Sequence, residues 1–514
     1  MVKPFKVFAY IAITILLLTL VSLFIPPEGL RLGSVIVKYP SVRSLFSFDS
    51  VGHPSHFTLS PEIAELEMML DSITGTTVVV DSLSVTQDSL GLTKPDSLNA
   101  DAHSIITTKN ERITAEILKS RLVHIEMPDS NFKALQSFYN ALQNGDASRS
   151  QVRIMHYGDS QIEGDRITSF LRSRLQSRFG GGGVGLLNAV PHSYQPGAVY
   201  QTVSSNWQYV SIADLGKGAV GNRFGIMGGY SIFKSSRRAS RGGFTEAWID
   251  LERRGSHSSL ARNFTRCRML FGHVPEPIML SLSYQETTQD AELLAPTADS
   301  KSVSWSVPKS VRQFRLGFKG DESPMVYAIS LETPTGIIVD NIAIRGSSGT
   351  DFTRSDNASL KRVMQLVKPN LIILQFGVNI VPHIVDSYTY YENQLYQQIV
   401  ALKGVNPGVS VILIGVSDMS RKVNGRFESY PNIERIRDAQ RNAAFRAGAA
   451  FWDCYTAMGG HNSMPAWVYA SPPLASKDFV HFTLRGSNII AEMFYSSLME
   501  SYNRFAQQNI GEVN

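Results

Sequence analysis

Cysteine is almost absent from this chain: its 514 residues hold two, Cys267 and Cys454. Neither has a CxxC partner or a histidine at zinc-ligand spacing, so no metal site is expected on them. A disulfide between them stays open, since spacing alone cannot place two sulfurs within bonding reach. A dense basic run is also missing: 49 Lys and Arg stand against 44 Asp and Glu, a net charge of +5. Nothing there makes a phosphate stripe, so nucleic acid is not an expected partner. The glycine run Gly180-Gly181-Gly182-Gly183-Val184-Gly185 lacks the Lys-Ser/Thr that completes a phosphate loop and follows a helical segment. It reads as flexible backbone, or as backbone that must approach something closely. Finally, neither a small-x-small cleavage signal nor a lipoprotein cysteine follows the apolar amino terminus.

What is present begins with that terminus. Lys3 and Lys6 precede an uncharged, mostly apolar run from Val7 to Ile25, and Pro26-Pro27 follows. The run is near the ~20 residues a helix needs to cross a bilayer. Residues 1–27 therefore read as an uncleaved signal anchor, with the lysines inside and the remaining chain exported. Residues 28–120 read as a mostly flexible tether, because Ser, Thr and Asp dominate from Thr74 to about Arg112 and leave little apolar surface to bury.

Past residue 120 the rhythm is α/β. A helix bearing Phe132, Leu135, Phe138 and Leu142 leads into a short apolar strand around Val152 and Ile154. The turn Gly158-Asp159-Ser160-Gln161 follows, then a helix from Ile167 to Phe179. From 193 to 335 short alternating runs such as Ile278-Leu280-Leu282-Tyr284 and Phe314-Leu316-Phe318 predict a β-sandwich inserted into the α/β domain. Beyond Gly336 the α/β pattern resumes to residue 514. Buried strands are expected at 337–344, 371–377, 409–416 and 450–452, with a closing helix carrying Ile489, Ile490, Phe494 and Leu498.

In an open parallel sheet the strand carboxyl ends share one edge. Connectivity alone puts Asp159-Ser160, Gly346, Asn379 and the loop of Asp478 and His481 there. Serine is a weak nucleophile at neutral pH and needs a base within reach, which His481 supplies, with Asp478 to orient the imidazole. The oxyanion of a tetrahedral intermediate needs preset donors, for which the N–H groups of Ser160 and Gly346 and the amide of Asn379 are the candidates. Asp159, Gln161, Asp418 and His383 are candidate substrate contacts. His156 reads as a satisfied core histidine, and Glu163 and Asp165 as acidic groups of the first helical turn. Trp207, Trp248 and Trp305 are either sandwich core or platforms for sugar rings.

These motifs resemble the SGNH (GDSL-type) hydrolases. Gly158-Asp159-Ser160-Gln161 is similar to the first block, Asn341-Ile342-Ala343-Ile344-Arg345-Gly346 to the second, Phe376-Gly377-Val378-Asn379 to the third and Asp478-Phe479-Val480-His481 to the fifth. Gln161 replaces the usual leucine, and Ile380 stands where an aspartate is frequent. The resemblance implies a flavodoxin-like three-layer α/β/α domain in two parts, 121–192 and 336–514, around the insertion at 193–335. His156-Tyr157-Gly158-Asp159-Ser160 and the placement of the insertion are also similar to bacterial peptidoglycan O-acetylesterases, whose insertion resembles a carbohydrate-binding module. That implies a serine esterase acting without a metal or other cofactor on an O-acetylated envelope glycan. It fits the reading of the amino terminus, which expects a protein held by one pass in a bacterial inner membrane, with its catalytic domain in the periplasm or extracytoplasmic space. Two alternatives share the motifs: O-acetyl transfer to a polysaccharide hydroxyl, and a non-catalytic glycan-binding protein.

Overall fold

The computed structural model describes residues 30–32, 35–37, 122–129, 132–143, 146–191, 196–212, 222–235, 244–254 and 259–511. The chain divides into two compact units, Met1–Thr58 and Leu59–Asn514. In the first, the described residues are Leu30–Leu32 and Val35–Val37, paired antiparallel. The expected membrane helix at 1–27 and nearly all of the expected tether lie outside the described residues. Among the described helices none is long and apolar enough to cross a membrane.

In the second unit the α/β rhythm yields five parallel strands, β1 (Gln151–Gly158), β2 (Gly336–Ala343), β3 (Leu371–Gln375), β4 (Ser410–Ile414) and β5 (Ala450–Trp452). They assemble in the order β2-β1-β3-β4-β5. This is the flavodoxin-like order, with its crevice where the chain leaves β1 for β2 on one side and returns to β3 on the other. Among the described residues, the longer helices that cover the sheet are α1 (Gln136–Gln143), α2 (Thr168–Phe179), α3 (Asn357–Val367), α4 (Thr389–Val405), α5 (Ile433–Arg446) and α6 (Leu484–Gly511).

Alternation along each strand sends side chains to opposite faces, and the two cores follow it. Val152 and Ile154 of β1 join Leu171 and Leu175 of α2 and Ile489, Phe494 and Leu498 of α6 in one core. Met155 and Tyr157 join Val363 of α3, Leu395 and Ile399 of α4 and Ile436 of α5 in the other. The expected three-layer α/β/α domain is therefore present. Helix α3 is capped by Asp356, whose carboxylate accepts from the Ser359 N–H at 2.7 Å.

Two antiparallel sheets fill the insertion. One has the order Thr287–Leu294, Ile278–Tyr284, Gln313–Gly320, Thr245–Arg253, Val199–Val203. The other runs Lys301–Ser306, Arg266–Gly272, Met325–Glu332, Gly229–Phe233, Trp207–Ser211. Their facing sides share a core that includes Ile249, Leu280, Leu316, Met269 and Ile329. Gly185–Leu187 pairs with Met325–Glu332, so the second sheet recruits chain ahead of the boundary expected at 193. The outer side of this second sheet, with Val210, Tyr230, Leu270 and Ala328, continues into the α3 side of the catalytic core.

The glycine run lies at that junction. At Gly183, where φ is +93°, a Cβ would come within 2.1 Å of the Leu331 carbonyl oxygen, so close approach is what the run provides. A buried charge cluster crosses the same seam. Arg153 of β1 donates to Glu332 at 2.5 Å and to Ser330 at 2.8 Å, and Arg266 donates to the other Glu332 oxygen. Burial pushes the Glu332 carboxyl up, but the Arg153 charge, the Ser330 hydroxyl and Arg266 outweigh it and hold the group down to about 2. The two cysteines are separately buried, Cys267 in the sandwich core and Cys454 in the catalytic core. Both are free, which closes the disulfide left open above.

Candidate active site

Ser160 follows β1 at the crevice of the parallel sheet, in the turn between β1 and the short helical turn Glu163–Asp165. Two ladder-like bonds continue past the strand ends and hold that turn: the Ile344 N–H donates to the Gly158 carbonyl at 2.8 Å, and the Asp159 N–H to the Gln375 carbonyl at 3.3 Å. The nucleophile turn is thus fixed to the exits of both β2 and β3.

The loop between Ala475 and Phe482 brings the base. Ser160 Oγ lies 2.7 Å from His481 Nε2, and His481 Nδ1 lies 2.7 Å from Asp478 Oδ2. With the imidazole proton on Nδ1, Nε2 accepts from the serine hydroxyl and Nδ1–H donates to the carboxylate. The other Asp478 oxygen accepts the N–H groups of Val480 and His481, each at 3.0 Å. Burial tends to raise the Asp478 carboxyl, but the hydrogen bonds from the His481 ring, the His481 N–H and the Val480 N–H outweigh it and hold the group below the ordinary range. It therefore remains an anion beside the imidazole. The His481 side chain is 29% exposed and that of Asp478 48%, so the triad opens to solvent.

A left-handed residue shapes this loop. Phe479, with φ +59°, turns its ring inward onto Phe427, parallel at 3.6 Å between centroids. Phe427 belongs to a hairpin, Ser420–Val423 and Arg426–Ser429, and the Ser420 N–H donates to the Phe479 carbonyl at 3.1 Å. The hairpin braces the backbone between Asp478 and His481.

Gly346 and Asn379, two of the expected oxyanion donors, follow β2 and β3. Gly346 lies in a turn closed by the Ser347 N–H donating to the Ile344 carbonyl. Its φ of +78° favours glycine, whereas a Cβ would meet nothing within 4 Å, so conformation and not crowding explains the residue. The Asn379 side-chain amide donates to the Ser347 carbonyl at 2.8 Å. One of its two N–H groups thereby locks the β3 turn to the Gly346 turn and leaves the second as a candidate donor.

Three expected substrate contacts are buried supports instead. Asp159 is fully buried and accepts the Gln161 N–H at 2.9 Å. Burial lifts its carboxyl to about 7, against the opposing pull of the Gln161, Gly377 and Val378 N–H groups. Gln161 is 3% exposed, and its amide donates to the Val480 carbonyl at 2.7 Å and to Ser417 Oγ at 3.2 Å, tying the nucleophile turn to the histidine loop. That bridge occupies the leucine position of the resembling family. Asp418 is also fully buried, accepting Ser429 Oγ at 2.6 Å and the Met464 N–H at 2.7 Å, with burial lifting it to about 6. Position after a strand identifies an edge but not the direction of a side chain, which is why all three were misplaced. His383 is exposed, its carbonyl accepting from Tyr388 at 2.6 Å, and has no hydrogen bond to the triad among the described residues.

His156 is the core histidine expected, bonded to Gln375 and Thr168 at 3.0 Å each, and burial lowers it to about 4. Asp165 does more than face a helix dipole: it clasps the buried Arg172 guanidinium at 2.6 and 2.9 Å. The sequence reading missed Arg166, which donates to the Ser160 carbonyl at 2.6 Å and the Phe482 carbonyl at 3.4 Å and so bridges the Ser160 turn and the His481 loop. It also missed the Phe427 hairpin, whose only sequence signal was Asn424-Gly425 between short polar runs.

Residues 316–489 match the GDSL-like Lipase/Acylhydrolase family. The match holds the histidine loop but not Ser160, which the insertion separates from it. A solved structure described as a peptidoglycan O-acetylesterase in action is similar over 72% of this chain and 96% of its own, with 22% identity and a TM-score of 0.58. A family two carbohydrate esterase from Cellvibrio japonicus gives 9% identity over 60% of this chain and 98% of its own, with a TM-score of 0.24. No curated protein matches. The chain is an enzyme that carries a GDSL-type esterase domain. Its fold resembles that of the peptidoglycan O-acetylesterase.

Proposed function

We propose that this protein removes O-acetyl groups from peptidoglycan or another envelope glycan through a covalent acyl-enzyme. The observation that carries the reading is the continuous Ser160–His481–Asp478 chain, with both links at 2.7 Å. Ser160 Oγ attacks the ester carbonyl while His481 Nε2 takes its proton. The Ser160 and Gly346 N–H groups and the Asn379 amide receive the oxyanion. His481 returns the proton to the departing sugar hydroxyl, leaving acetyl-Ser160. Water, deprotonated by the same imidazole, then releases acetate, and Asp478 stabilises the imidazolium in both halves.

The open triad favours a polymer over a small enclosed substrate, and the likeness to a peptidoglycan O-acetylesterase supports an acetylated glycan. The apolar run Val7–Ile25 supports an exported protein anchored in a bacterial inner membrane, acting on the periplasmic or extracytoplasmic side. The test is acetate release from isolated cell-wall polymer, with the same polymer chemically de-O-acetylated beforehand as control. Release from the first alone is expected; no release from either refutes the reading.

A further inference from the structure

Along the loop that carries the base, the carbonyls of Phe479, Val480, His481 and Phe482 each have a donor. Those of Phe479 and His481 accept backbone N–H groups, from Ser420 at 3.1 Å and from Ser476 at 2.8 Å. Those of Val480 and Phe482, on either side of His481, accept side chains instead: the Gln161 amide at 2.7 Å and the Arg166 guanidinium at 3.4 Å. Both side chains come from the segment just after Ser160. Loop and nucleophile turn are thus joined at two points that bracket His481 in sequence, and the 2.7 Å contact of His481 Nε2 with Ser160 Oγ is a third link between them.

The nucleophile's end of this clamp is fixed as well. The peptide unit after Ser160 is held at both of its polar groups: its carbonyl accepts from Arg166 at 2.6 Å, and its N–H, that of Gln161, donates to Asp159 at 2.9 Å. Arg166 also donates through Nε to the Glu163 carbonyl at 2.8 Å, so one planar guanidinium serves three backbone carbonyls. Gln161 has a further anchor in Ser417 Oγ at 3.2 Å, beyond the end of β4. A leucine, usual at this position in the resembling family, could fill the space but could not donate.

We propose that Gln161 and Arg166 are positioning residues that set the alignment of Ser160 with His481. Neither acts on the substrate; both act through that pair. The base sits on a loop with its side chain 29% exposed, so its aim depends on the cross-links to the turn it serves. The imidazole must meet the serine hydroxyl, then the departing sugar oxygen and then water, so a misaligned ring slows acylation and deacylation alike. A displacement of about 1 Å costs on the order of 100-fold in rate. The inference rests on the esterase reading for the reaction, and it assigns the glutamine in the leucine position a task in that reaction.

The test combines kinetics with a readout that needs no turnover. Gln161→Leu keeps the bulk and removes the donor, and Arg166→Lys keeps the charge but loses the planar fork that reaches several carbonyls at once. On p-nitrophenyl acetate each is expected to lower kcat about 10- to 100-fold with KM little changed. In a His481→Ala background, where no base is left to align, neither should slow the residual rate further. A role limited to holding the fold would move that rate too. In protein labelled with ¹⁵N-histidine, the His481 Nε2 resonance, identified by its loss in His481→Ala, should move in both variants toward its position in Ser160→Ala. The proposal is overturned if both variants keep the parent's kcat, if they slow the residual rate in the His481→Ala background, or if the Nε2 resonance stays where the parent has it. Loss of the folded state in both variants, seen by circular dichroism, would assign the residues to stability and overturn it as well. If the parent hydrolyses no ester and the resonance still moves as stated, the clamp stands and the esterase reading falls.

Discussion

Asp159 adjoins the nucleophile yet is fully buried, with its carboxyl lifted from an ordinary value of 3.8 to about 7. A carboxyl raised by folding is protonated in the native state while the unfolded chain has already released its proton. Between these two values the native state binds more protons, so stability falls as pH rises and levels off above about 7. Asp159→Asn removes this titration while keeping an acceptor for the Gln161 N–H. Holding one proton that the unfolded chain has released costs the native state about 1.4 kcal/mol for each tenfold fall in proton concentration. From about pH 5 to about pH 8 that cost builds up over the roughly hundredfold fall that precedes ionisation of the buried carboxyl. The stability of the variant relative to the parent should therefore grow by about 3 kcal/mol over that range and change little beyond it. Its Nδ2 would face the Gly377 and Val378 N–H groups, a cost that does not depend on pH, so the slope and not the absolute difference carries the test. Denaturant unfolding of both proteins at several pH values measures it. A difference that stays flat across the range would refute the reasoning and mean that the carboxyl is better solvated than its burial implies.

Three further outcomes are expected. Asn379→Ala should lower kcat on acetyl esters by about 100- to 1000-fold, the effect of losing one preset oxyanion donor, with a smaller change in KM in steady-state kinetics. Phe427→Ala removes the ring stacked on Phe479 and loosens the loop between Asp478 and His481; kcat/KM should fall about tenfold, equivalent to roughly 1.4 kcal/mol, without global unfolding by circular dichroism. Glu332→Ala leaves Arg153 buried without its main counter-charge at the seam with the sandwich, so chemical denaturation should show a loss of about 3 to 5 kcal/mol.

The sequence made legible whatever depends on periodicity and strand ends. Ser160, Gly346 and Asn379 could be brought to one edge because parallel connectivity fixes where strands end, whatever their separation along the chain, whereas the loop of Asp478 and His481 follows a helix and was legible from its motif. The sandwich was legible from alternation, but its recruitment of Gly185–Leu187 was not, since a three-residue strand carries too little pattern. Side-chain direction was also out of reach. Asp159, Gln161 and Asp418 follow strands as Ser160 does, and only the packed structure shows that they turn inward to brace loops. Phe479 depends on a left-handed backbone that no Phe signals, so its stacking on Phe427 beside Asp478 and His481 emerges only from the fold.

The central claim is that Ser160 is acylated and that His481 drives its acylation and release. Mixing the protein with p-nitrophenyl acetate, quenching in acid within the first turnover and mapping peptides by mass should place a single acetyl group on the peptide bearing Ser160. The adduct should be lost with time in the parent and should not form in Ser160→Ala. Acetate release by Ser160→Ala at the parent's rate, or an acetyl group trapped at another residue, would contradict the account.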